Sequence, residues 1–517
     1  MKDQRNTMQL LKNGTLIDGS GEPGKKIDIL IDGEFIKEIG YFSNINAETI
    51  DCSNLYITPG IVDVHSHADM ESIEHRTEKI KQGVTTEVVG NCGFSLFPTK
   101  ETFQKSVPQS ELFNIQSGKK WEDADSYFTE LLSAKSYSNV AALTGHGTLR
   151  AFIKGAESSK FNKMESNSIE RVLSNCIEQG SIGMSTGLNE VPGAFADLEE
   201  LIFLSRVVKK YGGLYTSHLR DYKFRFLEAV EEALEIGRRT GIAVQLSHLQ
   251  AVGQKNWHMM DSVLETINNA LDEGIDVGID AYPYLAGSCG LTQSLPTWAL
   301  EGGIDELISR LKIPSTRLQI AEETEAGMSN TWEDIMVVNI LNEKIYIGKT
   351  IHDISAIKGQ DAIETALDLL LDNDGSVHIV SFNQSEENLK KVLTHPLTSI
   401  ITDGLHHSGI PHPRTFSTYP TLYGEFVRDK NWMTLENAVH KTTYLPAKRF
   451  NLKKRGLVRA DFYADLFVFS ADEIGTEATY LNPDTPSKGI YHVMVNGQWE
   501  LFDGNLTGVL SGSVLKN

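Results

Sequence analysis

The sequence predicts an α/β fold: a (β/α)8 TIM barrel with a small β-sandwich domain built from both chain termini. Three observations point there. Through the centre of the chain, short apolar, β-branched runs alternate with longer helical stretches, the pattern of parallel βα units. At both ends, alternating runs are broken by NG and DG, which is hairpin chemistry. A length of 517 residues leaves room for one large domain and a smaller one.

The first hairpin-like runs are MQLLKNGTLIDGSG and KKIDILIDGEFIKEIG; YADLFVFSA and GIYHVMVNGQWELFDGN repeat the style near the C-terminus. Residues 1–58 and 451–517 are therefore expected to build one β-sandwich, with 59–450 inserted between them as the barrel. The barrel strand candidates are IVDVH, TTEVVG, NVAALTG, SIGMST, GLYTSH, AVQLSH, DVGIDAYPY, VHIVSF and SIITDG. Nine candidates compete for eight places, and VHIVSF is the one expected to lie outside the barrel. The intervening helices include SIERVLSNCIEQG, DLEELIFLSRVVKKYG, FRFLEAVEEALEIGRRTG and DSVLETINNALDEG. A stretch near 288–358 has no clear barrel strand; insertions of that length often cover active sites.

Composition narrows the function. Hydrophobic residues at 40% and charged residues at 23% are ordinary for a globular protein. A formal net charge of −21 argues against nucleic acid or an anionic membrane surface as a partner. The chain shows no apolar run of signal or membrane-spanning length, so a cytoplasmic protein is expected. Cys52, Cys92, Cys176 and Cys289 stand far apart without CxxC spacing, which fits a reducing compartment.

The chemistry begins at His65-Ser66-His67, at the end of IVDVH. Alternation along a strand places i and i+2 on one face, and strand C-termini form the catalytic rim of such a barrel. Alone, HxH is a weak motif. Other strand ends add weight: Cys92 follows TTEVVGN, His218 follows GLYTS, His248 follows AVQLS and Asp403 follows SIIT. Each taken singly reads as a core residue; five strand ends delivering six ligand-type side chains make a site. Thiolate and imidazole donors with a carboxylate suit zinc. Cys92, His218 and His248 are expected to hold one zinc tightly. His65, His67 and Asp403 would form a second, weaker position. Zinc brings bound water toward hydroxide near neutral pH and polarises a carbonyl, while an ionised Asp403 takes a proton and returns it to a leaving amine.

At these residues the sequence resembles the D-aminoacylase (N-acyl-D-amino-acid deacylase) family of the amidohydrolase superfamily. The matching stretches cover nearly the whole chain. They include ITPGIVDVHSHAD, KQGVTTEVVGNCGFSLFP, GMSTGLNEVPGAFA, GGLYTSHLRD, VQLSHLQAVGQKNW, DAYPYLAGS, ITDGLHHSGIPHPRTF and TTYLPAKRFNLKKRG. GNCG discriminates. Most relatives in the superfamily carry a modified lysine after the fourth strand, whereas SIGMSTG offers none and Cys92 would do that work. The resemblance implies metal-dependent hydrolysis of a small N-acyl-D-amino acid. Its metal residues map onto His65, His67, Cys92, His218, His248 and Asp403, and its substrate-carboxylate anchors onto Tyr282, Ser288 and Arg414. Arg414 has a physical warrant too, since a guanidinium grips a carboxylate with two parallel hydrogen bonds.

The sequence departs from the family pattern at two places. Gln250 stands where the family often has lysine, and the usual HxRDE run ends in Tyr222. His146 ends a strand and reads as structural sooner than catalytic. His406 and His407 follow Asp403, and the sequence leaves open a mobile pocket edge or a direct role for them. The competing readings are a cyclic amide (hydantoin or lactam) hydrolase or deaminase on the same scaffold, and a metal-binding protein without activity. The completeness of the donor set opposes the last.

Overall fold

The structure is a computed structural model that describes residues 8–100, 103, 107 and 119–516. Residues 1–7 and 517 of the expected β-sandwich segments lie outside the described residues.

Parallel strands form the centre in chain order: Ile61–Asp63, Val84–Val89, Asn139–Ala142 continued by Thr144–Gly145, Gly183–Gly187, Leu214–His218, Val244–Leu246, Val277–Ala281 and Thr398–Ile400. Each pairs in parallel with the next. Beyond the last strand, Asp403 N donates to His65 O at 2.9 Å and His67 N donates to Gly404 O at 3.1 Å, which joins the eighth strand's extension to the first. This is the TIM barrel. VHIVSF is not part of it: Val377–Phe382 pairs antiparallel with Ala286–Gly290 and Ile335–Ile340 in a separate three-stranded sheet.

The helices between the strands follow the sequence pattern. Asn162 caps Lys163–Glu178 by accepting from Met164 N and Glu165 N, and Glu165 reaches back to the cap. Asp197 caps Leu198–Lys210. Phe226–Thr240 ends at Gly241 in the left-handed conformation. These helices and Met260–Asp272 bury one apolar face each against the barrel.

Both termini meet in two further sheets. Gln9–Lys12, Asp28–Asp32, Phe35–Gly40 and Glu48–Asp51 form one of them. The other joins Tyr56–Pro59 to Leu466–Phe469 and carries Ile490–Val495 and Gln498–Phe502 outward. Leu11, Ile29 and Ile31 from one sheet and Ile57, Leu466 and Met494 from the other share a dry core, so the sandwich needs both ends of the chain.

Between the seventh and eighth barrel strands, helices and the three-stranded sheet run from Ala286 to Phe382, farther than the expected 288–358. Their core is separate from that of the barrel and includes Leu291, Leu307, Val337, Ile354, Leu367 and Ile379. The helix Ala362–Asp372 and the strand Val377–Phe382, which the sequence pattern left outside the insertion, belong to this unit.

Candidate metal centre

All six predicted donors meet at the C-terminal mouth of the barrel. They fall into two overlapping groups: Cys92, His218 and His248, and His65, His67, Cys92 and Asp403; within each group, one ligand atom per residue lies within 4.8 Å of the rest. Cys92 belongs to both, which the expected division into two separate triads did not include.

Local backbone explains how these side chains arrive. The first strand ends at Asp63, so His65 and His67 sit in a bend beyond it, and strand alternation is not what aligns them. The two backbone bonds to Asp403 and Gly404 do that, leaving the rings 5.5 Å apart. Below the bend, Lys79 Nζ donates to Asp63 Oδ2 at 2.6 Å and to Ser66 Oγ at 3.0 Å, and also reaches Thr402. Thr402 N donates to Asp63 Oδ1 at 3.0 Å. A buried polar network thus ties the first strand to the eighth directly beneath the donors.

Cys92, His248 and Asp403 have φ of 51°, 32° and 48°. Each such left-handed non-glycine residue costs about 1–3 kcal/mol and is held by its surroundings. At Cys92 the flanking glycines make this possible. Gly93, with φ of 78°, packs so closely that a Cβ would stand 2.5 Å from Gly187 N, and one on Gly90 would collide with Leu143 O.

The donor spacing fits a metal. His65 Nε2 lies 3.2 Å from Cys92 Sγ, which is 3.5 Å from His248 Nε2. Two donors bound about 2.0–2.3 Å from one tetrahedral ion stand roughly 3.5 Å apart. His65 Nε2 and His67 Nε2 approach Asp403 Oδ1 at 3.4 and 3.1 Å. His218 Nε2 and His248 Nδ1 are buried without a hydrogen-bond partner, so protein hydrogen bonds leave both imidazoles incompletely satisfied. Burial alone would raise the Cys92 thiol. The charge of His65, with hydrogen bonds from His218 and His248, outweighs it and holds the group well below the usual thiol range. A buried thiolate among imidazoles is a soft-donor site for a zinc-like ion.

Two residues that the sequence reading did not assign support the donors. Asp280 Oδ1 faces His65 Nδ1 at 3.2 Å and accepts from His248 N at 2.7 Å, while its Oδ2 accepts from Gln245 Nε2 at 2.9 Å. A carboxylate behind a ligand imidazole fixes its tautomer and orientation. The signal was there, as an acid at an otherwise apolar strand end. Tyr222 packs edge-on against His218 at 5.0 Å and lies 5.3 Å from His248. Its hydroxyl donates to Ser247 O at 3.0 Å. This departure from the family pattern is a wedge behind two donors.

The donors open into a cavity of about 980 Å³ lined also by Tyr282, Ser288 and Arg414. Arg414 Nη1 donates to Asp403 Oδ2 at 2.9 Å, its guanidinium lies 4.6 Å from the centre of the Tyr282 ring, and its Nε is buried without a partner. Tyr282 OH donates to Gln250 Oε1 at 3.1 Å, so Gln250 is a pocket residue. Burial would raise the Asp403 carboxyl, but Arg414, then His65 and His67, hold it well below the usual carboxylate range. His146 does not line this cavity; its Nε2 bonds Glu200 Oε1 at 2.8 Å beside Arg150. His407 packs against His378, 5.1 Å between ring centres, and His406 faces Glu78 and Phe416. Neither His406 nor His407 lines the cavity that holds the donors.

Comparison with known proteins then decides the family. A D-aminoacylase of Alcaligenes xylosoxydans xylosoxydans is 32% identical over 511 residues, spanning 98% of this chain and 97% of that protein. The chain belongs to the D-aminoacylase family. The crystal structure of N-acyl-D-glutamate deacylase from Bordetella bronchiseptica, complexed with zinc and a phosphonate mimic of the tetrahedral intermediate, superposes on this family member with a TM-score of 0.86. It is 31% identical and is matched over 99% of this chain and 100% of its own. A D-aminoacylase structure whose binuclear metal centre is described as activated by one metal and attenuated by a second gives 0.85 at 30% identity, over 98% and 99% of the two chains. A D-hydantoinase from Thermus sp., at 16% identity and a TM-score of 0.55, shares the fold with this D-aminoacylase-family chain. No family model matches the chain.

Proposed function

We propose that this chain hydrolyses the amide bond of N-acyl-D-amino acids, releasing a carboxylic acid and a free D-amino acid. The observation that carries this reading is Arg414, poised between Asp403 and the cavity that five of the six donors line. Cys92, His218 and His248 would hold one zinc ion; His65, His67 and Asp403, with Cys92 shared, would hold a second more weakly. When bound, zinc supplies an acidified water and Lewis acidity toward a carbonyl oxygen.

The protein's own groups do the rest. Arg414, Tyr282 and Ser288 grip the substrate carboxylate; Arg414 Nε is the donor left over for it. That grip sets the scissile amide over the donors and leaves the acyl group and side chain in the cavity. As the guanidinium turns to the substrate, Asp403 loses part of the charge that suppresses its basicity. It takes a proton from the attacking water at one carboxylate oxygen and delivers it to the departing nitrogen. Asp280 keeps His65 in one tautomer throughout.

The cyclic-amide reading rests on likeness of fold alone. Four free cysteines support a cytoplasmic setting, and no helix among the described residues is long and apolar enough to cross a membrane. We divide the chain into a β-sandwich of 1–58 with 451–517 and a barrel unit of 59–450. The test is amine release from paired D and L N-acetyl amino acids, with zinc quantified in the same sample. D-selective release that Asp403→Asn abolishes supports the reading. Full activity of Asp403→Asn, or ring opening without free amine, overturns it.

A further inference from the structure

The cavity contains acceptors that the mechanism leaves unused. The strand Gly183–Gly187 runs into a loop pinned by Leu188 N donating to His218 O at 3.1 Å and Ala194 N donating to Glu190 O at 2.7 Å. This loop turns Asn189 and Glu190 into the cavity. Glu190 is 4% exposed, and its Oε2 is buried with no hydrogen-bond partner. The neighbouring Asn189 Oδ1 is buried and unpartnered as well. The Glu190 stem lies beside the Cys92 loop: a Cβ on Gly187 would collide with Cys92 O and stand 3.4 Å from Glu190 Cγ. Yet Glu190 belongs to neither donor group.

A buried carboxyl oxygen without a hydrogen-bond partner is costly, and a protein that keeps one in a ligand cavity can satisfy it through the ligand. The charges around the cavity point the same way. Arg220 is taken by Glu232 at 2.8 Å and Arg414 by Asp403 at 2.9 Å. The remaining charged lining residues are Glu190, Asp221, Glu228 and Glu301 against Lys223 and Arg225. The balance is acidic, within a chain of net charge −21. Leu188, Phe195 and Phe94 line the same cavity and offer apolar surface to a methylene stem.

We infer that Glu190, with Asn189, forms a subsite for a cationic substrate side chain, so that the preferred substrates are N-acyl-D-amino acids ending in an ammonium or guanidinium. This rests on the deacylase reading above and gives its substrate class. Arg414 would take the α-carboxylate, and the two orphaned oxygens would take the far positive end. Glu190 is a specificity residue here and takes no part in the proton transfers.

Three substrates of similar length test it: N-acetyl-D-lysine, N-acetyl-D-norleucine and N-acetyl-D-2-aminoadipate, compared in the wild type and Glu190→Gln with zinc content measured in each sample. Glutamine keeps the shape and removes the ionisable group, so folding is not at risk on that account. The wild type should favour the lysine substrate over the aminoadipate substrate in kcat/KM by about tenfold or more. Glu190→Gln should lower the lysine value by about tenfold and leave the norleucine value and the zinc content unchanged. Preference for the acidic substrate, an equal loss on all three, or loss of zinc overturns the subsite. So does failure to cut the lysine substrate while other N-acyl-D-amino acids are cut; these outcomes leave the deacylase reading standing. Amine release from no N-acyl-D-amino acid overturns that reading and the subsite with it.

Discussion

Arg414 Nη1 lies 2.9 Å from Asp403 Oδ2, so the residue that would anchor the substrate also holds down the basicity of the residue that would move the proton. Binding and proton transfer are coupled through one guanidinium. Replacing Arg414 with Met removes both effects. The loss of a buried charge-assisted pair to the substrate carboxylate costs about 2–5 kcal/mol, roughly 30- to several-thousand-fold in kcat/KM. The sign of the pH effect follows from the direction of the shift. Arg414 lowers the Asp403 pKa, so its removal raises that pKa and the acid limb of the kcat/KM profile moves to higher pH. A pH–rate series on both proteins checks this.

Cys92 belongs to both donor groups, whereas His67 belongs to one. Cys92→Ala should therefore leave the purified protein with almost no zinc. His67→Ala should keep about one zinc per chain, since the three donors Cys92, His218 and His248 survive. Metal analysis after exhaustive dialysis separates these outcomes.

Asp280 touches no substrate in this account, yet it fixes His65 and the His248 backbone. Asp280→Asn should weaken metal affinity or turnover by about 10–100-fold, the range for loss of such a supporting carboxylate. Competition with a chelator reads the affinity, and rescue of turnover by added zinc would identify the role as positioning.

Lys79 supplies the buried cation between Asp63 at 2.6 Å and Glu87 at 3.6 Å. Removing one partner of a buried ion pair strands the other charge and costs about 3–5 kcal/mol. Lys79→Met should lower the unfolding midpoint accordingly. Because this network joins the first and eighth strands under the donors, zinc content should fall with it.

Much of this site was legible in the sequence because barrel chemistry writes itself at strand ends. His218 closes its strand, and His248 and Asp403 follow theirs within three residues. Strand alternation misjudged how His65 and His67 align, since a bend held by bonds to the eighth strand does what a pleat was expected to do. That Cys92 belongs to both groups, and that Asp280 stands behind His65, are distances across the barrel, and no local pattern encodes them. VHIVSF read as a strand correctly and as an outsider correctly; its antiparallel partners lie about 40 and 90 residues upstream, beyond any periodicity. Asn189 and Glu190 were inside a recognised motif, but the unpartnered state of Asn189 Oδ1 and Glu190 Oε2 exists only once the chain is folded.

One thiolate and its imidazole neighbours would hold the catalytic ion. Anomalous diffraction at the zinc edge, on crystals grown with zinc, tests it most directly. The expected peak lies about 2.3 Å from Cys92 Sγ and about 2.0–2.1 Å from the imidazoles of His218 and His248. Zinc bound elsewhere, with Cys92 uncoordinated, would contradict it.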